Sequence, residues 1–216
     1  DPNDLTLMEQ MIERSDNDST DALAKAVIDP TFAPMEVTED MKLLGIENTY
    51  WAGFFTPGSP MLQDYKTPAN QRTDFSTEPD RYAQTTPQDL GLLLEDIYYC
   101  AKDYGGSFPL AFNGEITQEE CQLMVDYLAL NKIGVLIQAG VPADVTVAHK
   151  HGWAYEVDDG YIHTIADAGI VYTPGGDYVL SIFAYHPVQA VFEPVNQLFA
   201  KLSQAVYSYY NSTSTQ

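Results

Sequence analysis

Apolar residues recur at helical spacing at the start of the chain. Leu5, Met8 and Ile12 predict a helix over residues 4–14. Ser15 to Asp18 interrupts that pattern, and Ala22, Leu23, Ala26 and Val27 resume it over residues 19–28. "VTEDMKLLGI" reads as a short helix with Thr38 as cap and Gly45 as stop. A long stretch rich in Pro, Gly, Thr and Asn follows to residue 84 and reads as an irregular loop, a kind of segment that tends to carry function in compact domains. Thr86 and Pro87 then supply a cap and a first-turn proline for a strong helix lined by Leu90, Leu93, Leu94 and Ile97. Thr117 with Glu120 forms a capping box for the next helix.

After residue 144 the period changes from helical to alternating. "DVTVAHKHGW" reads as a strand, and "DAGIVYTPGGDYVLSIFAYH" as two strands joined through Pro174, Gly175, Gly176 and Asp177. "VQAVFEPVNQLFAKLSQAVYSYY" predicts an amphipathic final helix, bent or begun near Pro194, before a loose polar tail. Helices first, then antiparallel strands and a closing helix, give an α+β class. The division falls between residues 1–143, a helical lobe, and 144–216, three strands plus a helix. A three-stranded sheet is small for 216 residues, so further strands are expected from the N-terminal side. The chain opens on Asp1 rather than Met, and residues upstream are expected to have been removed or left out.

Charge narrows the partners. Ten Lys and Arg stand against 31 Asp and Glu, a net charge of -21. A nucleic-acid binder needs a basic face, which this chain cannot supply, and an anionic membrane repels so acidic a surface. No run of 18 apolar residues is present to span a bilayer, and no signal peptide is visible. Cys100 lies near the end of one predicted helix and Cys121 in the first turns of the next. If the two helices form an antiparallel hairpin, a disulfide is reasonable and points to an oxidising compartment; otherwise the pair are buried free thiols.

Two tripeptides carry candidate chemistry. Ser15-Asp16-Asn17 lies between two helices, and Lys150-His151-Gly152 lies near the end of a strand that leads into a hairpin and a final helix. Each alone is weak; Ser-Asp-Asn also reads as plain helix capping. Their order and context resemble the penicillin-recognising serine hydrolases, in particular the class A β-lactamase-like branch, whose signature is Ser-x-x-Lys, Ser-Asp-Asn and Lys-Thr-Gly. "MIERSDNDSTDALAKAV" is similar to that family's helix–loop–helix around the second motif. "TTPQDLGLLLEDIY" resembles its Thr-Thr-Pro helix start, and "VTVAHKHGWAY" with "HTIADAGIVYTPGGDYVLSIFAY" its third-motif strand and hairpin.

The resemblance implies a β-lactamase/transpeptidase-like fold and acyl-enzyme chemistry on an amide or ester. Ser15 would relay a proton to the leaving group, and Lys150 would be the cation beside the base lysine. Asn17 would bind the substrate amide and help hold the lysine. Asp16 would fix the loop, and the Trp153 backbone N–H would be one oxyanion donor. It implies no cofactor. His149 and His151 share a strand face, but no third ligand joins them at metal spacing.

Three departures qualify the resemblance. No serine in the sequence is followed three residues later by lysine, so the nucleophile is expected outside this chain, on a segment cut away, omitted or carried by another chain. The alternative is a non-catalytic module that binds a peptidoglycan-like peptide or a protein partner. The third motif has His151 before Gly152 where the family has Thr or Ser, which changes recognition of a substrate carboxylate. The loop ahead of Thr86 offers Glu78 as the candidate for the family's deacylating glutamate, but its sequence does not match well. Slow turnover of an acyl-enzyme, or an ester or peptide substrate, follows. The expected partner is a small-molecule or peptide substrate, and the expected location is extracellular or the cell envelope of a bacterium.

Overall fold

The computed structural model describes residues 2–74, 80–156 and 158–212. Helices α1 (Pro2–Arg14), α2 (Asn17–Val27) and α3 (Ala33–Leu43) come first. A two-residue strand pair, β1 (Tyr50–Trp51) with β2 (Ala83–Gln84), closes the long irregular stretch. Helices α4 (Pro87–Asp103), α5 (Phe108–Ala111) and α6 (Gln118–Leu128) follow, then a 3₁₀ turn at Gln138–Gly140. Strands β3 (Thr146–Tyr155), β4 (Ile162–Tyr172) and β5 (Tyr178–Tyr185) form an antiparallel sheet in that order, and α7 (Phe192–Tyr210) ends the chain. The architecture is α+β. No helix among the described residues is long and apolar enough to cross a membrane.

Local chemistry explains the clearest boundaries. The Thr86 side chain accepts from Asp89 N–H, with Pro87 at the first turn of α4. At α6, Thr117 and Glu120 cap each other's backbone reciprocally. Thr38 is not a cap. It lies inside α3, fully buried, where its hydroxyl donates to Pro34 O and accepts from Trp51 N–H, tying the helix to β1. The helix starts earlier because Asp29 Oδ1 gathers the N–H groups of Thr31 and Phe32 in the turn before it. β4 starts at Ile162, five residues ahead of Asp167, where the sequence pattern puts its first strand residue. α7 starts two residues before Pro194, in the first turn, where a proline lacks no helical bond.

The sheet is covered on both faces, and the period of two decides which residue meets which layer. Ala148, Ala168 and Ile170 pack with Leu94, Ile97, Val125 and Leu128 of α4 and α6. On the opposite face Ile165 packs with Leu136 and Phe199, and Val147 and Val171 with Ile137. Cys100 and Cys121 are joined by a disulfide that ties α4 to α6, with 5.8 Å between Cα atoms, so the free-thiol alternative does not hold. Gly169 sits opposite His149 in the β3–β4 register. A Cβ there would fall 2.6 Å from His149 Cβ and 3.1 Å from Ala148 O, with β-sheet backbone on one side. Gly169→Ala is expected to cost about 1–3 kcal/mol in chemical denaturation, the range for forcing an extra methyl into a packed core.

Candidate active site

The turn between α1 and α2 carries the first motif. Ser15 takes a left-handed backbone conformation, φ 53°. Asp16 is the N-cap of α2 and accepts from Ser19 N–H at 2.7 Å and from the Ser19 hydroxyl at 2.5 Å. Those bonds hold the Asp16 carboxyl below its ordinary range, the Ser19 hydroxyl contributing most. Asp16 therefore supplies the cap that the tripeptide suggested, and Ser15 lies just outside the helix. Asn17 is the exposed first residue of α2. Buried Asp21 on α2 anchors the helix to the long loop by accepting from the N–H groups of Phe55 and Thr56.

The second motif arrives from the other side of the molecule. Lys150 shares a face of β3 with Ala148, the face that meets the helical lobe. Its ammonium donates to Ser15 Oγ and, at 3.2 Å, to the His151 carbonyl. This single contact joins positions 135 residues apart. Burial pulls the Lys150 ammonium below the ordinary lysine range, partly opposed by the Asp167 carboxylate. A half-desolvated ammonium fixed on a serine hydroxyl leaves that hydroxyl oriented and polarised, the state a proton relay requires.

His151 lies on the opposite face from Lys150. Its ring stacks on Trp153 at 5.0 Å between centroids, and Trp153 meets Phe192 of α7 edge-on at 4.8 Å. Burial first, and then the neighbouring Lys150 charge, push its pKa down to about 4. His151 is thus neutral at neutral pH and adds no positive charge to the site. The depressed value also fixes a pH dependence. Between pH 6.5 and about 4 the unfolded chain takes up a proton that the folded chain refuses. Stability falls as pH is lowered through that window and holds above it. Denaturant midpoints from pH 4 to 8, compared with His151→Phe, should show the slope reduced in the variant.

Gly152 and Trp153 follow on the exposed part of β3, and the β3–β4 pairing shifts register just beyond Trp153. Trp153 lies three residues from Lys150 on a strand that is the sheet's edge among the described residues. Glu78 lies outside the described residues. His149, weighed in the sequence only as a metal ligand, is instead buried and paired with Asp167 of β4. A lone Asp inside "IADAGIVY" was the available signal.

No curated protein sequence matches the chain. Among solved structures, a class A β-lactamase from Bacteroides cellulosilyticus DSM 14838 superposes with a TM-score of 0.68 at 22% identity, over 96% of this chain and 64% of its own. PBP-A gives 0.66 at 20% identity, over 97% of this chain and 62% of its own. A β-lactamase from Chitinophaga pinensis DSM 2588 gives 0.66 at 16% identity, over 95% and 64%. These similarities carry the fold, and the chain spans 62–64% of the length of these structures. The β-lactamase enzyme family matches residues 4–210, nearly the whole sequence, and the chain belongs to that family.

Proposed function

We propose that this chain contributes the relay serine, the neighbouring lysine and one oxyanion donor to a serine hydrolase of the β-lactamase/D-Ala-D-Ala peptidase type. The nucleophile of that enzyme sits on residues outside these 216. The observation that carries the reading is the Lys150 ammonium donating to Ser15 Oγ across the two lobes. In the acyl-transfer step a nucleophilic serine attacks an amide or ester carbonyl and gives up its proton to a base. Ser15 passes a proton on to the leaving group, held by Lys150. The Trp153 N–H donates to the developing oxyanion, and Asn17 binds the substrate amide. His151 stands where the family has a hydroxyl donor, but it lies on the β3 face opposite Lys150, neutral and stacked on Trp153.

Two features support a separate or upstream segment. β5 pairs only with β4 among the described residues, so its outer edge offers open backbone groups. A cavity of about 880 Å³ opens between Thr85 and Thr86 on one side and His163, Phe183 and Tyr185 on the other. A helix with an adjoining strand would fill both. The disulfide supports an extracellular or cell-envelope location. A variant of PBP-A was solved as an acyl-enzyme complex with penicillin-G, which makes penicillin the natural probe.

The test is covalent labelling. The native protein, with whatever polypeptide accompanies it, is incubated with a fluorescent penicillin and run on a denaturing gel. A retained label that weakens in Ser15→Ala supports the reading. An unlabelled protein that binds peptidoglycan-like peptides reversibly would support the second reading, a binding module without chemistry.

A further inference from the structure

Behind Lys150, on the other face of β3, lies a polar cluster that the acyl-transfer scheme leaves unused. His149 and Asp167 are fully buried and Asn131 is 2% exposed. His149 Nδ1 lies 2.8 Å from Asp167 Oδ1, and Nε2 lies 3.0 Å from the Asn131 carbonyl. A carbonyl only accepts, so Nε2 carries a hydrogen, and the Nδ1···Oδ1 contact closes on one further proton shared with the carboxylate. Asn131 returns the contact: its side-chain amide donates to the His149 carbonyl at 3.0 Å. The second Asp167 oxygen accepts from Ile137 N–H at 3.1 Å.

Four segments meet in this cluster: β3, β4, Asn131 three residues past the end of α6, and the stretch entering the 3₁₀ turn. Buried polar groups of this kind are costly unless paired. Both ring nitrogens of His149 and both Asp167 oxygens are paired here, whereas Asn131 Oδ1 has no partner among the described residues. Asn131 grips His149 at both its ring and its carbonyl, immediately before Lys150. Asn131 also follows α6, which touches α1, the helix that delivers Ser15. We propose that Asn131, His149 and Asp167 form a clamp that positions Lys150, locking its strand to the helical lobe so that the ammonium stays on Ser15 and away from water. Its use in catalysis rests on the acyl-transfer reading; its existence does not.

The test reads Lys150 directly. Its ammonium is titrated by NMR of its side-chain carbons in the native protein, with whatever polypeptide accompanies it. The polar groups around it are Ser15 from the α1–α2 turn, His149 and His151 from its own strand, and Asp167 from β4. Asn131→Ala alters no charge, so a change in the Lys150 midpoint reports solvation and geometry alone. The midpoint is expected to rise toward the ordinary lysine value as water reaches the ammonium. His149→Gln should raise it further, since the Asp167 carboxylate then loses its partner. Val147→Ala, a buried truncation on the same face of β3, should lower stability and leave the midpoint in place. An unmoved midpoint in folded Asn131→Ala, or an equal rise in Val147→Ala, overturns the clamp. Should His149→Gln not fold, the Asn131→Ala comparison decides alone. A rise in the midpoint together with failed penicillin labelling would keep the clamp and reject the acyl-transfer reading.

Discussion

Replacing Lys150 by alanine should slow penicillin acylation of the native protein by about 10²–10⁴-fold, the usual contribution of a positioned proton-transfer group. The reasoning is local. Lys150 is held on Ser15 Oγ, and its ammonium is partly stripped of water. Removing it frees the hydroxyl to rotate and removes the only cation the site residues supply. Ser15→Ala should cost a similar factor, and the double variant little more than either single one, because the two act as a unit. Lys150→Arg should not restore the rate. A guanidinium stays fully charged, is larger, and holds a serine hydroxyl in a different geometry. Stability gives the control: losing a half-buried charge relieves a desolvation cost, so the Lys150→Ala melting temperature should not fall. A rate loss that merely tracks unfolding would point to a structural lysine.

Breaking the Cys100–Cys121 disulfide is the second large effect. The bond spans 21 residues, and both cysteines are fully buried between α4 and α6. Closing a loop of that length in the unfolded chain is worth about 3 kcal/mol. For a chain of this size that corresponds to a fall of roughly 6–12 °C in melting temperature. The double variant Cys100→Ala/Cys121→Ala, followed by calorimetry beside the reduced and oxidised wild type, measures it. Reduced wild type and the double variant should agree closely. The loss also matters for the site, because α6 runs on into Asn131 and α4 begins at the Thr86 cap beside the cavity.

The sequence made some of this plain and hid the rest, for identifiable reasons. Helices α4 and α6 announce themselves because Thr86-Pro87 and the Thr117–Glu120 box are local chemistry, complete within four residues. The hairpin through Pro174 and Gly176 is equally local. α3 was harder: its start depends on Asp29 gathering backbone N–H groups upstream, and Thr38, a natural cap by type, is instead spent on β1. The pairing of Ser15 with Lys150 is long-range, and nothing in spacing joins them; only the resemblance of the two motifs to a family placed them together. The face on which His151 lies was readable from the period of two, since Lys150 and His151 cannot both point to the helical lobe. The buried His149–Asp167 pair was not, because its partners come from Asn131 and the backbone of Ile137, contacts that exist only after folding.

The central claim is that this chain completes an acyl-transfer site whose nucleophile lies outside it. Intact mass of the natively produced protein, before and after exposure to a reactive penicillin, tests it most directly. The account predicts a species heavier than 24.0 kDa, or a second co-purifying chain, that gains one penicilloyl adduct on a serine absent from these 216 residues. A native species of 24.0 kDa with no companion and no adduct would contradict it and leave a binding module.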